Sequence, residues 1–485
     1  MRLSWNTRLS YGVGHFLNDL TASMWFTYLL VYLQFVLCFD TSVSGFVLLV
    51  GQVTDAIATP LLGYETDSTH HLGICKKYGR RKVLYLFGVS CVLFSFPFIF
   101  IQCPGCSNSS QWAMVVYLVP LVVIFQTGWA AVQVSHLALI PVITDDSSER
   151  DFLNVIRNAF DAVADFSVFT IAWIIFVTDV NGPTDALSIA EDDKSKFMII
   201  VITIICIGFS TCVIFYLGVK EVTPVQSATT SIVQRRTLNN RKIFKEKEFY
   251  KIAVIYTTAR LFQNFNLVFI PLYLQESLGA TQDFIAKIPL LIHVAGFASS
   301  FITRYLMKFC GKKLSLIFGA VIGTGGCTWI YFGEGSSFCS QYIYVVAILL
   351  GIGSSILVVT SLALIPDFIG LDTDIGTFVY GVISFFDKLA NGIGILIIQY
   401  LHDIMCDKCD WFYRHIMSIG VGSIGVAMVL MILLEIKLIH RDNTFRKRFI
   451  AEHKLKNEFV NNKSEIEPLL RENGMTHFAL HSSEC

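Results

Sequence analysis

The sequence predicts an all-α membrane protein of twelve transmembrane helices, arranged as two similar six-helix bundles. Three observations support this fold class: the apolar runs, the one-sided distribution of Lys and Arg, and an internal repeat. The 485 residues are 54% hydrophobic and 15% charged, whereas about a quarter of the residues in a soluble domain are charged. This composition excludes a soluble enzyme, a disordered chain and a nucleic-acid-binding protein.

Twelve apolar runs follow one another along the chain. Each is close to the roughly 20 residues that a helix needs to cross the hydrocarbon layer of a bilayer. Many contain Gly, Pro or polar residues, which membrane helices tolerate where they pack around a cavity. The runs cover residues 9–36, 42–64, 83–103, 112–140, 156–178, 196–219, 251–275, 284–307, 314–332, 342–366, 378–401 and 414–436.

The loop charges orient these helices. With a cytosolic amino terminus, the cytosolic segments carry 30 of the 37 Lys and Arg residues, and the opposite face carries 5. Because positive loops stay in the cytosol, both termini are predicted to be cytosolic. The sequon at Asn108 then lies in the lumen, where it can be glycosylated. The balanced net charge indicates no particular partner.

A basic segment between runs six and seven divides the chain. We therefore predict an amino-terminal bundle at 1–219, a cytosolic linker at 220–250, a carboxy-terminal bundle at 251–436 and a cytosolic tail at 437–485. The linker charges enforce topology and contact anionic lipid of the bilayer.

Two sequence patterns repeat in the two predicted bundles. Leu-Ala-Leu-Ile-Pro occurs at 137–141 and at 362–366, an offset of 225 residues. Phe-Asp followed by Ala occurs at 160–164 and at 386–390, an offset of 226. Two matches nearly in phase indicate parallel halves related by an axis normal to the membrane, which enclose a central site and rock around it.

Several charged residues lie inside the predicted spans. Each costs roughly 2.5–3.5 kcal/mol at a helix centre, so these side chains must face one another or a wet cavity. For four of them, which we group as a predicted buried charge network, the sequence allows either arrangement. His136 and His293 either relay protons or pack through hydrogen bonds. The spans contain Asp19 and Asp55, and the network comprises Asp161, Asp165, Arg260 and Asp387.

The loop after run two carries a candidate gate. Asp67 beside Arg80 and Arg81 can form a charge lock that breaks and re-forms as the halves move. Gly63 is expected to permit close helix approach and Gly79 a tight turn.

Gly63 and Asp67 followed by Gly79-Arg80-Arg81 resemble the loop signature of the major facilitator superfamily. Residues 55–63 resemble the second-helix motif of its glycoside–pentoside–hexuronide:cation symporters, typified by melibiose permease. The resemblance covers about 1–440 and implies a secondary transporter. It implies a substrate site formed by Asp19, Arg157 and Lys388, to which we add Trp129 and Gln133, and a cation site at Asp55 and Thr59.

One departure from that branch bears on the coupling ion. Thr59 and Gln133 stand where the branch has carboxylates. Hard cations need several charged oxygens, whereas a single buried carboxylate can bind a proton. Proton coupling or uncoupled transport is therefore expected rather than sodium coupling, with no cofactor and no bound metal.

Further segments, among them residues 15–20 and 387–392, resemble a group of animal cysteine transporters of lysosomes and melanosomes. This resemblance implies that cysteine moves from cytosol to lumen. Two alternatives remain: a proton-coupled sugar symporter, and a membrane scaffold or receptor that transports nothing. An enzyme is not expected, because no nucleophile–base pair is evident.

Two Cys-x-x-Cys pairs fall on the predicted lumenal face, at Cys103 and Cys106 and at Cys406 and Cys409. Four thiolates can bind zinc, but an oxidising compartment favours disulfides or free thiols.

The tail contains a short motif at Glu465, Leu469 and Leu470 that resembles an acidic dileucine sorting signal. Such a signal would recruit trafficking adaptors and direct the protein to lysosome-type membranes.

Overall fold

A computed structural model describes ten stretches of the chain. They are residues 3–67, 79–103, 105, 109–144, 146–178, 188–219, 246–333, 338–369, 376–406 and 409–437. Most of the predicted linker and tail lies outside these stretches. The chain forms two compact units, residues 1–429 and 430–485. In the second unit, the described residues 430–437 are helical.

The described residues form twelve helices, as the sequence predicts. Helix α1 (residues 5–36) joins Trp5–Gly12 and Phe16–Val31 through a 3-10 turn and ends in a π turn, Tyr32–Val36. Helix α7 is Lys247–Leu272 followed by a π turn, Tyr273–Ser277. The others are α2 Thr41–Asp67, α3 Arg80–Ile99, α4 Gln111–Ile143, α5 Ser147–Thr178, α6 Lys194–Gly218, α8 Gln282–Cys310, α9 Lys312–Phe332, α10 Ile343–Ile369, α11 Gly376–Met405 and α12 Phe412–Lys437.

Within the described ranges, ten helices are long and apolar enough to cross a membrane. Helices α1 and α7 are the two of the twelve described helices that do not meet this criterion. The 3-10 turn leaves α1 with a longest α-helical segment of 16 residues. Helix α7 carries Arg260 and several amides in its middle, which lowers its hydropathy. Both helices have many buried residues, so most of their length is shielded by neighbouring helices.

The helix ends define two faces of the bundle. At the terminal face, where α1 begins, Arg8 pairs with Glu149 at 2.6 Å, and Lys82 donates to the carbonyl oxygen of Tyr216 at 2.7 Å. The opposite end, where α1 and α7 finish, is the distal face. The loop charges predict that the terminal face is cytosolic and the distal face lumenal.

Hydrogen bonds join the two halves of the first unit, residues 3–219 and 246–429, at the distal face. Gln34 donates to Gln399 at 2.9 Å. Gln282 donates to Asp193 at 2.9 Å, and Gln275 donates to the carbonyl oxygen of Ile189 at 2.8 Å. The described conformation is therefore closed at this face.

The structure places the repeated sequences at equivalent positions. Residues 137–141 end α4 and residues 362–366 end α10. A third repeat was not predicted: Tyr-Leu-Gln begins the π turn that ends α1 and the one that ends α7. A residue with positive φ follows each turn, Cys38 at 55° and Gly279 at 58°.

Paired glycines bring neighbouring helices into close contact in both halves. A Cβ added to Gly88 on α3 would meet the carbonyl oxygen of Gly128 on α4 at 2.7 Å. In the other half, a Cβ on Gly353 of α10 would meet the backbone nitrogen of Gly323 on α9 at 2.6 Å. Only glycine permits these approaches, because the opposing atoms are backbone.

Replacing Gly353 by Ala should destabilise the protein, because the backbone of α9 cannot yield as a flexible side chain would. We expect a loss of about 1–3 kcal/mol in the free energy of unfolding, measured by thermal unfolding in detergent. Gly325→Ala is the matched control, since its Cβ would meet no described atom within 4 Å and alanine favours helix by about 1 kcal/mol. Equal melting temperatures for the two variants would contradict this prediction.

The close helix approach expected at Gly63 stays a prediction. A Cβ there would meet no atom of the described residues within 4 Å. Gly79 does adopt the positive φ of 85° that favours glycine, immediately before α3.

Candidate substrate and proton site

Helix α5 carries three predicted charges on one face. Arg157, Asp161 and Asp165 are spaced four residues apart, so successive Cα atoms rise by about 6 Å along the helix and their side chains share a face. This stripe lies near the middle of α5 (Ser147–Thr178). It places a cation and two acidic groups along one wall.

Asp19 of α1 faces this stripe. Its carboxyl group and that of Asp161 share a hydrogen bond, and the guanidinium of Arg157 interacts electrostatically with both. The Oδ1 atom of Asp19 also lies 2.5 Å from Nδ1 of His15, one helical turn earlier. Two acids, one guanidinium and one imidazole thus form a compact cluster.

Asp165 joins three helices. It accepts a hydrogen bond from the hydroxyl of Ser23 on α1, and its Oδ2 atom lies 2.8 Å from Nδ1 of His293 on α8. Because α5 and α8 belong to different halves, the Asp165–His293 pair connects the halves at mid-height.

A second ion pair connects the halves through α2 and α11. The Nζ atom of Lys388 lies 2.7 Å from Oδ1 of Asp55 and donates to the hydroxyl of Thr59 at 2.9 Å. It also lies 5.5 Å from the ring centroid of Trp129, within the range of a cation–π interaction. Asp55 and Thr59, predicted as the cation site, therefore meet Lys388 and Trp129 of the predicted substrate site.

Arg260 and Asp387 link these two clusters. The Nε atom of Arg260 donates to Oδ2 of Asp387 at 3.3 Å, and Asn391 donates to the other carboxylate oxygen at 2.7 Å. Arg260 also interacts electrostatically with Asp161, and Asp387 interacts with Lys388 and Asp55. The predicted charges inside the helices thus form one continuous network.

A cavity of about 450 Å³ adjoins the network between α5, α7, α8 and α10. Asp161, Asp165 and His293 line it, and Phe166 and Phe297 supply apolar wall. A concave, largely apolar site with a few converging polar groups is typical of small-molecule binding.

Polar atoms in the cavity wall lack partners within the described part of the chain. They are Oδ1 of Asn266, Oγ of Ser354 and Nε2 of His293. Asn266 is 1% exposed and Ser354 5% exposed. Since buried polar groups are usually hydrogen-bonded, these atoms are candidates to bind a polar ligand.

Two further residues that the sequence predicted for the site also have buried polar atoms without a partner. They are Arg157, through its Nε atom, and Gln133, through its Oε1 atom, and neither atom has a hydrogen-bond partner among the described residues. Gln133 follows Trp129 by one turn of α4. Trp129 and Asn18 exchange two hydrogen bonds, with the Asn18 amide donating at 2.8 Å and the indole at 3.2 Å, which fixes α4 against α1.

His136 packs rather than lining the cavity. Its Nε2 donates to the carbonyl oxygen of Tyr11 at 2.8 Å, and the two rings stack at 4.3 Å. Of the two histidines that the sequence singled out, His293 alone touches the cavity.

Other predicted residues lie away from this site or outside the described ranges. Arg80 and Arg81 begin α3 and Asp67 is the last residue of α2, but the Asp67 side chain is not described, so the charge lock stays a prediction. Asn108, Cys106 and the tail motif at Glu465, Leu469 and Leu470 also lie outside. The described residues contain no cluster of three His, Cys, Asp or Glu that could hold a metal.

Cys103 is disulfide-bonded, whereas Cys406 and Cys409 are free thiols. Partial burial and the Cys409 thiol raise the pKa of Cys406 to about 12. Because the thiolate is the reactive form, the raised pKa makes the Cys406 thiol less nucleophilic at neutral pH.

His15 and Ser23 were not predicted as site residues, and the partner of each buried charge was not predicted either. The His15–Asp19 spacing of four residues was a usable signal, because such residues meet on one helix face. The Ser23–Asp165 contact and the Asp55–Lys388 pair join residues far apart in sequence, which spacing alone cannot reveal.

Comparisons with known proteins agree with this architecture. Residues 10–407 match the family described as MFS/sugar transport protein. The chain is similar to the human major facilitator superfamily domain-containing protein 12, with 38% identity covering 88% of this chain and 92% of that protein. The mouse protein of the same name is 36% identical, covering 91% and 96%.

Among solved structures, a D-xylose-proton symporter superposes with a TM-score of 0.65 at 15% identity, covering 88% of this chain and 97% of that one. The fold is thus that of known membrane transporters. On the family match, the two relatives and the helical architecture together, the chain belongs to the major facilitator superfamily, as a member of its MFS/sugar transport protein family.

Proposed function

We propose that this transporter carries a small zwitterionic amino acid, cysteine, from the cytosol into the lumen of lysosome-related organelles. The observation that carries the proposal is the stripe on α5, where the unpartnered Nε of Arg157 lies one helical turn from Asp161. A carboxylate and an ammonium group a few ångströms apart would match this pattern of charges.

Each end of an amino acid has a complementary group in the site. A guanidinium binds a carboxylate through charge-assisted hydrogen bonds, and Arg157 has an N–H available for one. Asp161 and Asp165 offer carboxyl oxygens at the cavity wall for the ammonium group. The small side chain would then face Phe297 and the unpartnered hydroxyl of Ser354.

The conformation supports loading from the cytosol. Hydrogen bonds between the halves close the distal face, which the loop charges predict to be lumenal. The cavity extends from mid-height to Val155 on the first half of α5, towards the terminal face. The resemblance to animal cysteine transporters and the dileucine-like tail motif support cysteine and a lysosomal location.

A proton-coupled sugar symporter is the second candidate, favoured by the unpartnered amide oxygen of Gln133 one helical turn from Trp129. An aromatic ring beside amide and carboxyl groups can also bind sugar hydroxyls, and the matched family is described by sugar transport. A sugar needs neither a guanidinium nor a site for an ammonium group. Competition between unlabelled compounds and labelled cysteine therefore distinguishes the two candidate functions.

The test is uptake of labelled cysteine into proteoliposomes with a panel of unlabelled competitors. We expect cysteine to compete, and we expect cysteine methyl ester and N-acetylcysteine to compete at least tenfold less well, because each lacks one charged end. Xylose and melibiose should not compete. Uptake equal to that of empty liposomes, or competition by sugars alone, would overturn the proposal.

A further inference from the structure

We propose that Asp165 and His293 form the exchange site at which a proton is traded for the substrate's ammonium group. This inference rests on the proposed function and deepens it. It starts from the contact between the halves at mid-height, where Nδ1 of His293 lies 2.8 Å from Oδ2 of Asp165. Both residues also line the cavity, so the contact and the substrate share one carboxylate.

Two ion pairs between the halves of the described chain differ in chemistry. One joins the ammonium group of Lys388 to Asp55, and the other joins the imidazole of His293 to Asp165. Histidine is the side chain whose charge changes between about pH 5 and 8. The Asp165–His293 contact is therefore the one of these two pairs whose strength follows the pH of the compartment to which the cavity opens.

The proton's destination is Nε2 of His293. In the neutral ring Nδ1–H already donates to Asp165, and Nε2, which is buried without a partner in the described structure, accepts the added proton. The hydrogen bond from a neutral imidazole to the carboxylate then becomes an ion pair. The ring of Phe169, 4.9 Å away, packs against the imidazole and holds it beside Asp165.

The surroundings leave Asp165 as the main partner of the imidazole. The charged groups that act on His293 are Asp165 and Asp161, both from α5. Helices α7 and α10 contribute uncharged Asn266 and Ser354 to the same wall. Asp161 is engaged by Asp19, Arg157 and Arg260, whereas Asp165 receives the hydroxyl of Ser23 and the imidazole.

Exchange follows from competition for one carboxylate. While His293 is protonated, its imidazolium neutralises Asp165 and opposes a second cation. When the proton leaves, Asp165 becomes available to a substrate ammonium group that enters the cavity. Protons that leave through the terminal face would thus be exchanged for substrate that enters there, which couples accumulation in an acidic lumen to the pH gradient.

Proteoliposomes with an imposed pH gradient test this exchange. For the wild-type protein, an acidic interior should raise net cysteine uptake at least fivefold over equal pH. His293→Gln keeps a donor for Asp165 but cannot hold the proton, so the ratio of uptake with an acidic interior to uptake at equal pH should fall to about one, whatever the absolute rate of the variant. Full stimulation by the gradient in His293→Gln would overturn the inference.

His402→Gln is the matched control. His402 also pairs with an acid, lying 2.7 Å from Glu276, but both residues belong to the carboxy-terminal half and neither lines the cavity. This variant should keep the stimulation by the gradient. If His402→Gln and His293→Gln both lose the stimulation by the gradient, the stimulation does not arise at the Asp165 site.

A measurement without substrate separates this inference from the proposed function. The ion pair exists only while the imidazole is protonated, so its stabilisation is greatest at acidic pH and declines as the pH rises through the range in which histidine loses its proton, about pH 5 to 8. The melting temperature of the wild-type protein should fall over that interval by roughly 2 °C more than that of His293→Gln. Identical pH profiles would contradict the pairing even if no cysteine transport were observed, whereas absent transport alone would overturn only the proposed function.

Discussion

Lys388→Ala should reduce transport below a tenth of the wild-type rate and destabilise the protein. The substitution leaves the carboxylate of Asp55, whose side chain is 6% exposed, without its cation inside the bundle. Removal of one partner from a buried pair costs about 3–5 kcal/mol. Uptake normalised to the amount of folded protein, together with thermal unfolding in detergent, measures both effects.

The pair Lys312–Asp367 provides the control. It lies on α9 and α10 within one half, and its side chains are 30% and 62% exposed. Exposed pairs contribute about 0–1 kcal/mol, so Lys312→Ala should leave stability and transport near wild type. Wild-type behaviour of Lys388→Ala would refute the assignment.

A double variant separates structure from function at this pair. Asp55→Asn combined with Lys388→Gln removes both charges, and the loss of a complete buried pair is often nearly neutral for stability. We expect the melting temperature to recover while transport stays low, because the link between α2 and α11 no longer responds to charge. Recovery of both the melting temperature and the transport rate would assign the pair a purely structural role.

Arg157→Ala should raise the KM for cysteine by about ten- to a hundredfold, since a hydrogen bond to a charged group contributes about 1.5–3 kcal/mol. The variant should also lose its preference for cysteine over cysteine methyl ester, because the ester lacks the carboxylate that Arg157 is proposed to bind. Initial-rate uptake over a range of concentrations gives KM and kcat separately.

Arg304→Ala is the comparison for this substitution, because Arg304 is an exposed arginine on α8. It should leave both KM and the ester discrimination unchanged. A lower kcat for Arg157→Ala with unaltered KM and intact discrimination would instead place the guanidinium outside the carboxylate site.

The sequence predicted the helices and the residues of the charged network. Both follow from the free-energy cost of placing polar groups in lipid, which can be judged from a single span. An apolar run of sufficient length must be helical in lipid, and a charge such as Arg260 or Asp387 within it must find a partner. The repeat at 137–141 and 362–366 likewise identified corresponding helix ends before any coordinates.

The pairing itself was not predictable in this way. Whether Lys388 lies beside Asp55 or beside Asp19 depends on how α11 packs against α2, over a separation of more than 300 residues. The partner of His293 depends similarly on the contact between α5 and α8. The missed π turns at Tyr32 and Tyr273 involve an altered hydrogen-bonding register, which apolar periodicity does not reveal.

The polar character of α7 has a consequence for how the chain enters the bilayer during synthesis. With Arg260 in its middle, this helix has little tendency to partition into lipid by itself. It depends on an already inserted helix that offers a counter-charge or an amide. Asp161 on the earlier helix α5 can supply that counter-charge at once, whereas Asp387 lies on α11 and is translated four spans later, so α7 should settle into its final position only when α11 arrives.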